Sequence, residues 1–303
     1  MGTPSFSIPT LRALVNTGCN ILGVVAQPDR PKGRGRKVVS SPIKEFALKE
    51  GLRLFQPQRV REDLFIDNIK ALSPDVIVVV AFGQILPKTL LKIPPMGCVN
   101  VHASILPAYR GAAPVNWAVV NGEKSTGVTT MLMDEGLDTG DILMSKEIEI
   151  GADDNSETLY KRLSELGAGL LISTLEGLKK GSVKPVKQDE QTASYAPILK
   201  KEDGIICWEK GSEDIVNLVR GMAPWPAAHT LFRGKVLKIF KAVKGSSAGR
   251  PGEIIAVRKD SFEVTSGKGS VIILDLQIEG KKRMAAEDFL RGYKVQKGEL
   301  VGT

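Results

Sequence analysis

The sequence predicts an α/β protein: an open sheet with crossover helices over residues 1–182, a linker over residues 183–201 and a small β-barrel over residues 202–303. Three observations carry this. Apolar, β-branched segments alternate with helical patterns in the first part, the signature of strands joined by crossovers. Asp75–Phe82 (DVIVVVAF) is a continuous apolar run, as suits a strand buried on both faces of a parallel sheet. Short strands separated by glycine-rich turns fill Thr230–Lys297, the pattern of a small barrel.

The elements follow in order. Asn20–Ala26 is apolar and reads as a strand. Ser41-Pro42 pairs a helix cap with proline at the first helical position and opens a helix to about Glu50. Gly97–Ala103 is a short strand, and Gly111–Asn121 a helix with Pro114 in its first turn. Thr126–Met133 and Asp141–Ile150 read as two further strands. Ser156–Lys180 is a long amphipathic helix ending in Lys179-Lys180-Gly181. Ser182–Lys201 is polar, holds two prolines and reads as the linker, with a short helix after it at Ser212–Arg220.

Composition narrows the function classes. Hydrophobic residues make up 42% of the 303 and charged residues 25%, which excludes disordered and fibrous proteins. No apolar run is long enough to span a bilayer and no signal-peptide pattern is visible, so no membrane partner is expected. Three scattered cysteines, Cys19, Cys98 and Cys207, fit neither a disulfide framework nor a zinc site, and a reducing cytoplasm is expected. The net charge of +8 points to a polyanionic partner, or to charge that only keeps the chain soluble.

Candidate chemistry is concentrated at three places. The two histidines are His102 and His229. His102 lies two residues after Asn100 on a predicted strand, so both side chains share one face near its carboxyl end, where open α/β sheets place their sites. The plain alternative is a core histidine satisfied by a backbone carbonyl. Between two predicted strands lies Met133-Asp134-Glu135-Gly136-Leu137-Asp138-Thr139-Gly140-Asp141, in which glycines flank Asp138 and let the backbone bend sharply. The alternative there is a solvated acidic turn. Arg30-Pro31-Lys32-Gly33-Arg34-Gly35-Arg36-Lys37 is a basic loop that either grips phosphates or is simply solvated. Motifs for dinucleotides, for nucleotide phosphates and for a serine nucleophile are all missing.

Asn100-Val101-His102-Ala103-Ser104-Ile105-Leu106-Pro107, followed by Tyr109-Arg110-Gly111-Ala112-Ala113-Pro114, resembles the signature of the folate-dependent formyltransferases. Leu137-Asp138-Thr139-Gly140 is similar to that family's second motif, and Gln27-Pro28-Asp29-Arg30-Pro31 and Pro224-Trp225-Pro226 extend the likeness along the whole chain. The resemblance implies a Rossmann-like catalytic domain followed by an OB-like tRNA-binding domain. Members of the family begin with a short β-strand ahead of the Gly-Thr-Pro found here at Gly2-Thr3-Pro4, so that strand is expected to be absent from the central sheet.

The activity implied is transfer of the formyl group of 10-formyltetrahydrofolate, a co-substrate, to the α-amino group of methionine on initiator tRNA, by a monomer with no metal. Asn100 and His102 would donate to the developing oxyanion, and Asp138 would orient His102 and take the amine's proton. By resemblance, Ser104, Ile105, Leu106 and Pro107 line the folate site, with Phe82, Gly83, Gln84, Ile85 and Leu86 beside it; core packing is the plain alternative for Ile85 and Leu86. Lys32, Arg34, Arg36 and Lys37 would meet the tRNA, and Lys235, Lys238, Lys241 and Lys244 could add phosphate contacts. Rival readings are a formyltransferase for a sugar-nucleotide amine, a formyltetrahydrofolate hydrolase and a non-catalytic RNA-binding protein.

Overall fold

A computed structural model describes residues 1–32 and 37–302. Expected tRNA contacts Arg34 and Arg36 lie outside these residues. In chain order the elements are α1 (Ser7–Asn16), β1 (Val24–Val25), β2 (Arg30–Lys32), β3 (Lys37–Val39), α2 (Pro42–Lys49), β4 (Leu54–Phe55), α3 (Asp63–Leu72), β5 (Ile77–Val79), α4 (Lys88–Leu91), β6 (Cys98–His102), β7 (Arg110–Gly111), α5 (Pro114–Val120), β8 (Ser125–Leu132), β9 (Ile142–Glu149), α6 (Ser156–Lys180) and β10 (Tyr195–Ala196). There follow α7 (Ser212–Met222), β11 (Ala228–Phe232), β12 (Lys235–Gly245), β13 (Ile254–Val257), β14 (Phe262–Thr265), β15 (Ser270–Ile278), β16 (Met284–Ala285) and α8 (Ala286–Gly292). The local signals act as read: Ser41 accepts from the Lys44 amide and Pro42 opens α2, and α6 keeps its expected bounds.

The chain divides into two compact units. One comprises residues 1–111, 125–148 and 160–196; the other, residues 112–124, 149–159 and 197–303. In the first unit β5 and β6 are parallel, whereas β6 and β8 are antiparallel, and the order across this sheet is β5-β6-β8-β9. All five residues of β6, which lies between β5 and β8 in the sheet, are buried. A Cβ on Gly167 of α6 would stand 2.8 Å from Val101 Cγ1. The helix therefore lies against the face that Val101 presents, and Asn100 and His102 point to the other face.

The second parallel pair, β1 with β4, forms a sheet of its own. Between β1 and β5 lie Met1 and Gly2. The Met1 amine donates to Val78 O, Val80 N to Met1 O and Gly2 N to Val25 O. Beside these contacts a cavity of about 230 Å³ is lined by Cys19–Val25 on one side and Pro74–Val78 on the other. Asn20–Ala26 and Asp75–Phe82 have strand sequences, but their ladders cover Val24–Val25 and Ile77–Val79.

In the second unit an antiparallel sheet runs in the order β11-β12-β15-β14-β13, with β16 added to β15. β12 is bulged between Ile239 and Ala242, which increases its local twist. Trp208, Ile215, Phe232, Leu237, Phe262 and Phe289 belong to its core. At Gly221 of α7 an added Cβ would lie 2.4 Å from Val120 Cγ2, so this glycine lets α5 and α7 approach closely. Asn116 Nδ2 and Ser156 Oγ both donate to the Gly221 carbonyl there.

Candidate active site

β6 ends at His102, and the loop between β8 and β9 brings Asp138 to its exposed end. Asn100 Nδ2 donates to Asp138 Oδ1 at 3.3 Å, and His102 Nδ1 lies 3.6 Å from Asp138 Oδ2. The Gly111 amide donates to the same Oδ2 at 2.8 Å. The three residues singled out by the sequence thus form one cluster. His102 is 6% exposed and Asn100 8%, so water competes little for their hydrogen bonds. His102 Nε2 lies 3.0 Å from the Tyr109 carbonyl, so both ring nitrogens face oxygen acceptors, and a doubly protonated ring can donate to both.

The glycines around Asp138 act differently from the flexibility read into them. Neither Gly136 nor Gly140 has a positive φ; Asp138 itself is left-handed, at φ 55°. A non-glycine residue held there stores backbone strain, as functional sites often do. Gly140 serves clearance: an added Cβ would stand 1.7 Å from Leu132 O. Asp134 ties the rest of the loop by accepting from the Gly136 amide and the Thr139 hydroxyl.

The expected folate segments divide. The Thr129 hydroxyl donates to Ser104 O and accepts from Leu106 N, which pins the turn after β6 to the sheet. Ser104 Oγ is itself used by Ala108 O. Leu106 is buried, and the half-buried Ile105 packs over Gly127. Pro107 is half-buried. Phe82 and Leu86 lie in the apolar core with Phe65, Ile69 and Val79. Gly83 and Ile85 face outward, and Gln84 is spent on the Val60 amide, Gln27 and Gln58. Lys32 and Lys37 sit opposite each other on the β2–β3 pair. On β12, Lys235, Lys241 and Lys244 are exposed and Lys238 is half-buried; Lys244 lies 3.4 Å from Glu213.

Three comparisons bear on this geometry. The family model described as formyl transferase matches residues 1–175, and that of its C-terminal domain matches residues 198–294. The chain belongs to the formyl transferase family. Family relatives include the methionyl-tRNA formyltransferase of Citrifermentans bemidjiense, 53% identical over 100% of this chain and 95% of that protein. The protein of that name from Geobacter metallireducens is 51% identical over 100% and 97%. Among solved structures of this fold, WlaRD, a sugar 3N-formyl transferase seen with dTDP and 5-N-formyl-THF, aligns at a TM-score of 0.67 and 20% identity. That alignment covers 93% of this chain and 97% of WlaRD. HypX from Aquifex aeolicus in complex with tetrahydrofolic acid aligns at 0.60 and 21% identity, over 80% of this chain and 43% of that longer protein.

Sequence reasoning missed the residues that hold Asp138 from behind. Arg110 stood inside the recognised signature without a role. It is fully buried, and it grips Glu190 through two 2.8 Å bonds and Gln188 through two more. Through the same contact Arg110 keeps the Glu190 carboxyl below the usual carboxylate range. Gln188 and Glu190 fall in the segment read as a linker. Its two prolines and polar composition gave no sign that residues 183–196 pack on the catalytic unit, as they do. Among the described residues, no cluster of three or more His, Cys, Asp or Glu could hold a metal, and no helix is long and apolar enough to cross a membrane.

Proposed function

We propose that this chain transfers the formyl group of 10-formyltetrahydrofolate to the α-amino group of methionyl initiator tRNA, as a cytoplasmic monomer. One observation carries the reading. Asp138 joins Asn100 and His102 in a single buried cluster, on a chain that matches proteins named methionyl-tRNA formyltransferase from end to end.

The chemistry needs donors for a developing oxyanion and a path for a proton. The neutral amine attacks the formyl carbon, negative charge gathers on the formyl oxygen, and the amine must lose a proton before the folate nitrogen leaves with one. Asn100 Nδ2 has two hydrogens, and Asp138 Oδ1 takes only one of them. The other is the first oxyanion donor. His102 Nε2 becomes the second by exchanging the Tyr109 carbonyl for the formyl oxygen. Asp138 receives the amine's proton, directly or through water, while the Gly111 amide holds its Oδ2. Gly83, Ile85 and the backbone around Ser104–Pro107 border the folate, and Lys32, Arg34, Arg36 and Lys37 meet the tRNA backbone.

The test measures formyl transfer to methionyl initiator tRNA, with elongator methionyl-tRNA and a UDP-amino sugar in parallel, for the wild type and for His102→Ala. Transfer to initiator tRNA alone, lost in the variant, is expected. Transfer to the sugar, or deformylation without an acceptor, would replace the tRNA reading and keep the formyl chemistry.

A further inference from the structure

We infer that Gln188 is a positioning residue for the reaction: its amide holds the strained Asp138 turn in the conformation that presents the carboxylate. The inference rests on the formyl-transfer reading above. Gln188 Nε2 donates to the Asp138 carbonyl at 2.8 Å and to the Gly140 carbonyl at 2.7 Å. Its Oε1 accepts from Arg110 Nε at 3.0 Å and Nη2 at 2.8 Å. Two hydrogens and two lone pairs are therefore all used. The orientation is forced, because a flipped amide would set its oxygen against two carbonyls and its hydrogens against a guanidinium.

The supports of Gln188 are themselves fixed. Glu190 clamps the far side of Arg110 through both carboxylate oxygens. Two residues before Gln188, Val186 exchanges both backbone hydrogen bonds with Ile142, at the start of β9. Two residues after Asp138 comes Gly140, the other carbonyl that Gln188 holds. A residue fifty positions downstream thus closes the base of the Asp138 loop, while Asn100 and the Gly111 amide hold the carboxylate at its tip. Without those two donated bonds, nothing among the described contacts to the Asp138 and Gly140 carbonyls opposes relaxation of the left-handed φ at Asp138.

The experiment compares wild type, Gln188→Ala and Gln188→Glu in steady-state formyl transfer. The glutamate variant keeps an acceptor for Arg110 while it replaces the donors to the loop with an oxygen that repels the two carbonyls, so it stays informative if the alanine variant folds poorly. Both should lower kcat about 30-fold and leave KM for folate and for tRNA within about twofold, since the residue faces neither substrate. The same change in an Asp138→Asn background should cost less than about threefold, because the effect passes through Asp138. An equal penalty in both backgrounds, or kcat near wild type in both variants, overturns the inference. Wild-type inactivity on methionyl initiator tRNA would instead count against the tRNA reading, and the comparison would then run on whichever acceptor the wild type formylates.

Discussion

Gly140→Ala should cripple catalysis while leaving the protein folded, and the size of the effect can be worked from the loop. The alanine methyl would lie 1.7 Å from Leu132 O and 2.8 Å from Leu132 C. Both atoms are backbone at the end of β8, so no side-chain rotation relieves the contact. The loop must move by more than about 1 Å to restore ordinary separation. That movement acts on Gly140 and Asp141, whose carbonyls accept from Gln188 Nε2 and from Leu132 N. Asp138 is two residues away and is displaced with them. A misplacement of about 1 Å at a reacting group costs on the order of 100-fold in rate, so kcat should fall by about that factor, with a stability loss of roughly 1–3 kcal/mol. Gly136→Ala is the built-in comparison. There the methyl would meet the Thr139 hydroxyl, 2.0 Å away, which can rotate aside, so a loss of under about tenfold is expected. The assay is single-turnover formyl transfer with circular dichroism on the same samples. If Gly140→Ala kept kcat within about threefold of wild type, the claim that this glycine fixes the carboxylate would be wrong.

Two other outcomes follow from the structure. Asn100→Ala should lower kcat on the order of 100-fold with the melting temperature nearly unchanged, as one oxyanion donor is lost; kcat near wild type would remove Asn100 from the chemistry. Glu263 is buried and its carboxyl is held below the usual range, chiefly by the Ser270 hydroxyl with Arg258 assisting. A depressed carboxyl adds stability above its unfolded pKa and loses it as pH falls through the folded one. Melting temperature should therefore drop more steeply below about pH 4 in wild type than in Glu263→Gln, and parallel curves would refute this.

What could be read from the sequence follows the range of the forces involved. Caps, periodicity and apolar runs act within a few residues, so α2 and α6 were predicted close to their observed ends. The spacing of Asn100 and His102 is likewise local, fixed by the two-residue repeat of a strand. Ladder lengths were misread where the partner decides them. Val76 belongs to a strand sequence, yet it lines the cavity and falls outside the β5 ladder, which starts at Ile77. Phe82 and Leu86 illustrate a related point. An apolar residue in a motif looks the same whether it faces a ligand or the core, and only the packing against Phe65 and Ile69 separates the two.

The Asp138 loop shows why a site can be named from sequence before its geometry can. Chemistry constrains residue type: a carboxylate must sit beside an imidazole and an amide donor, and glycines nearby mark a crowded turn. Geometry is constrained from elsewhere. Asp138 is held by Gln188, Gln188 by Arg110 and Arg110 by Glu190, an amide–guanidinium–carboxylate chain anchored in a polar segment that resembles a linker. Polar side chains usually mark solvent exposure, and that prior fails when they satisfy one another. Arg110 was the available signal. An arginine between Tyr109 and Gly111, in the signature that follows a buried strand, must be paired if it is buried. The only acids and amides that could pair it without disturbing the site had to come from outside the signature. The segment that appeared least structured in the sequence therefore holds the acid in place, and its polar residues are there to neutralise a buried cation.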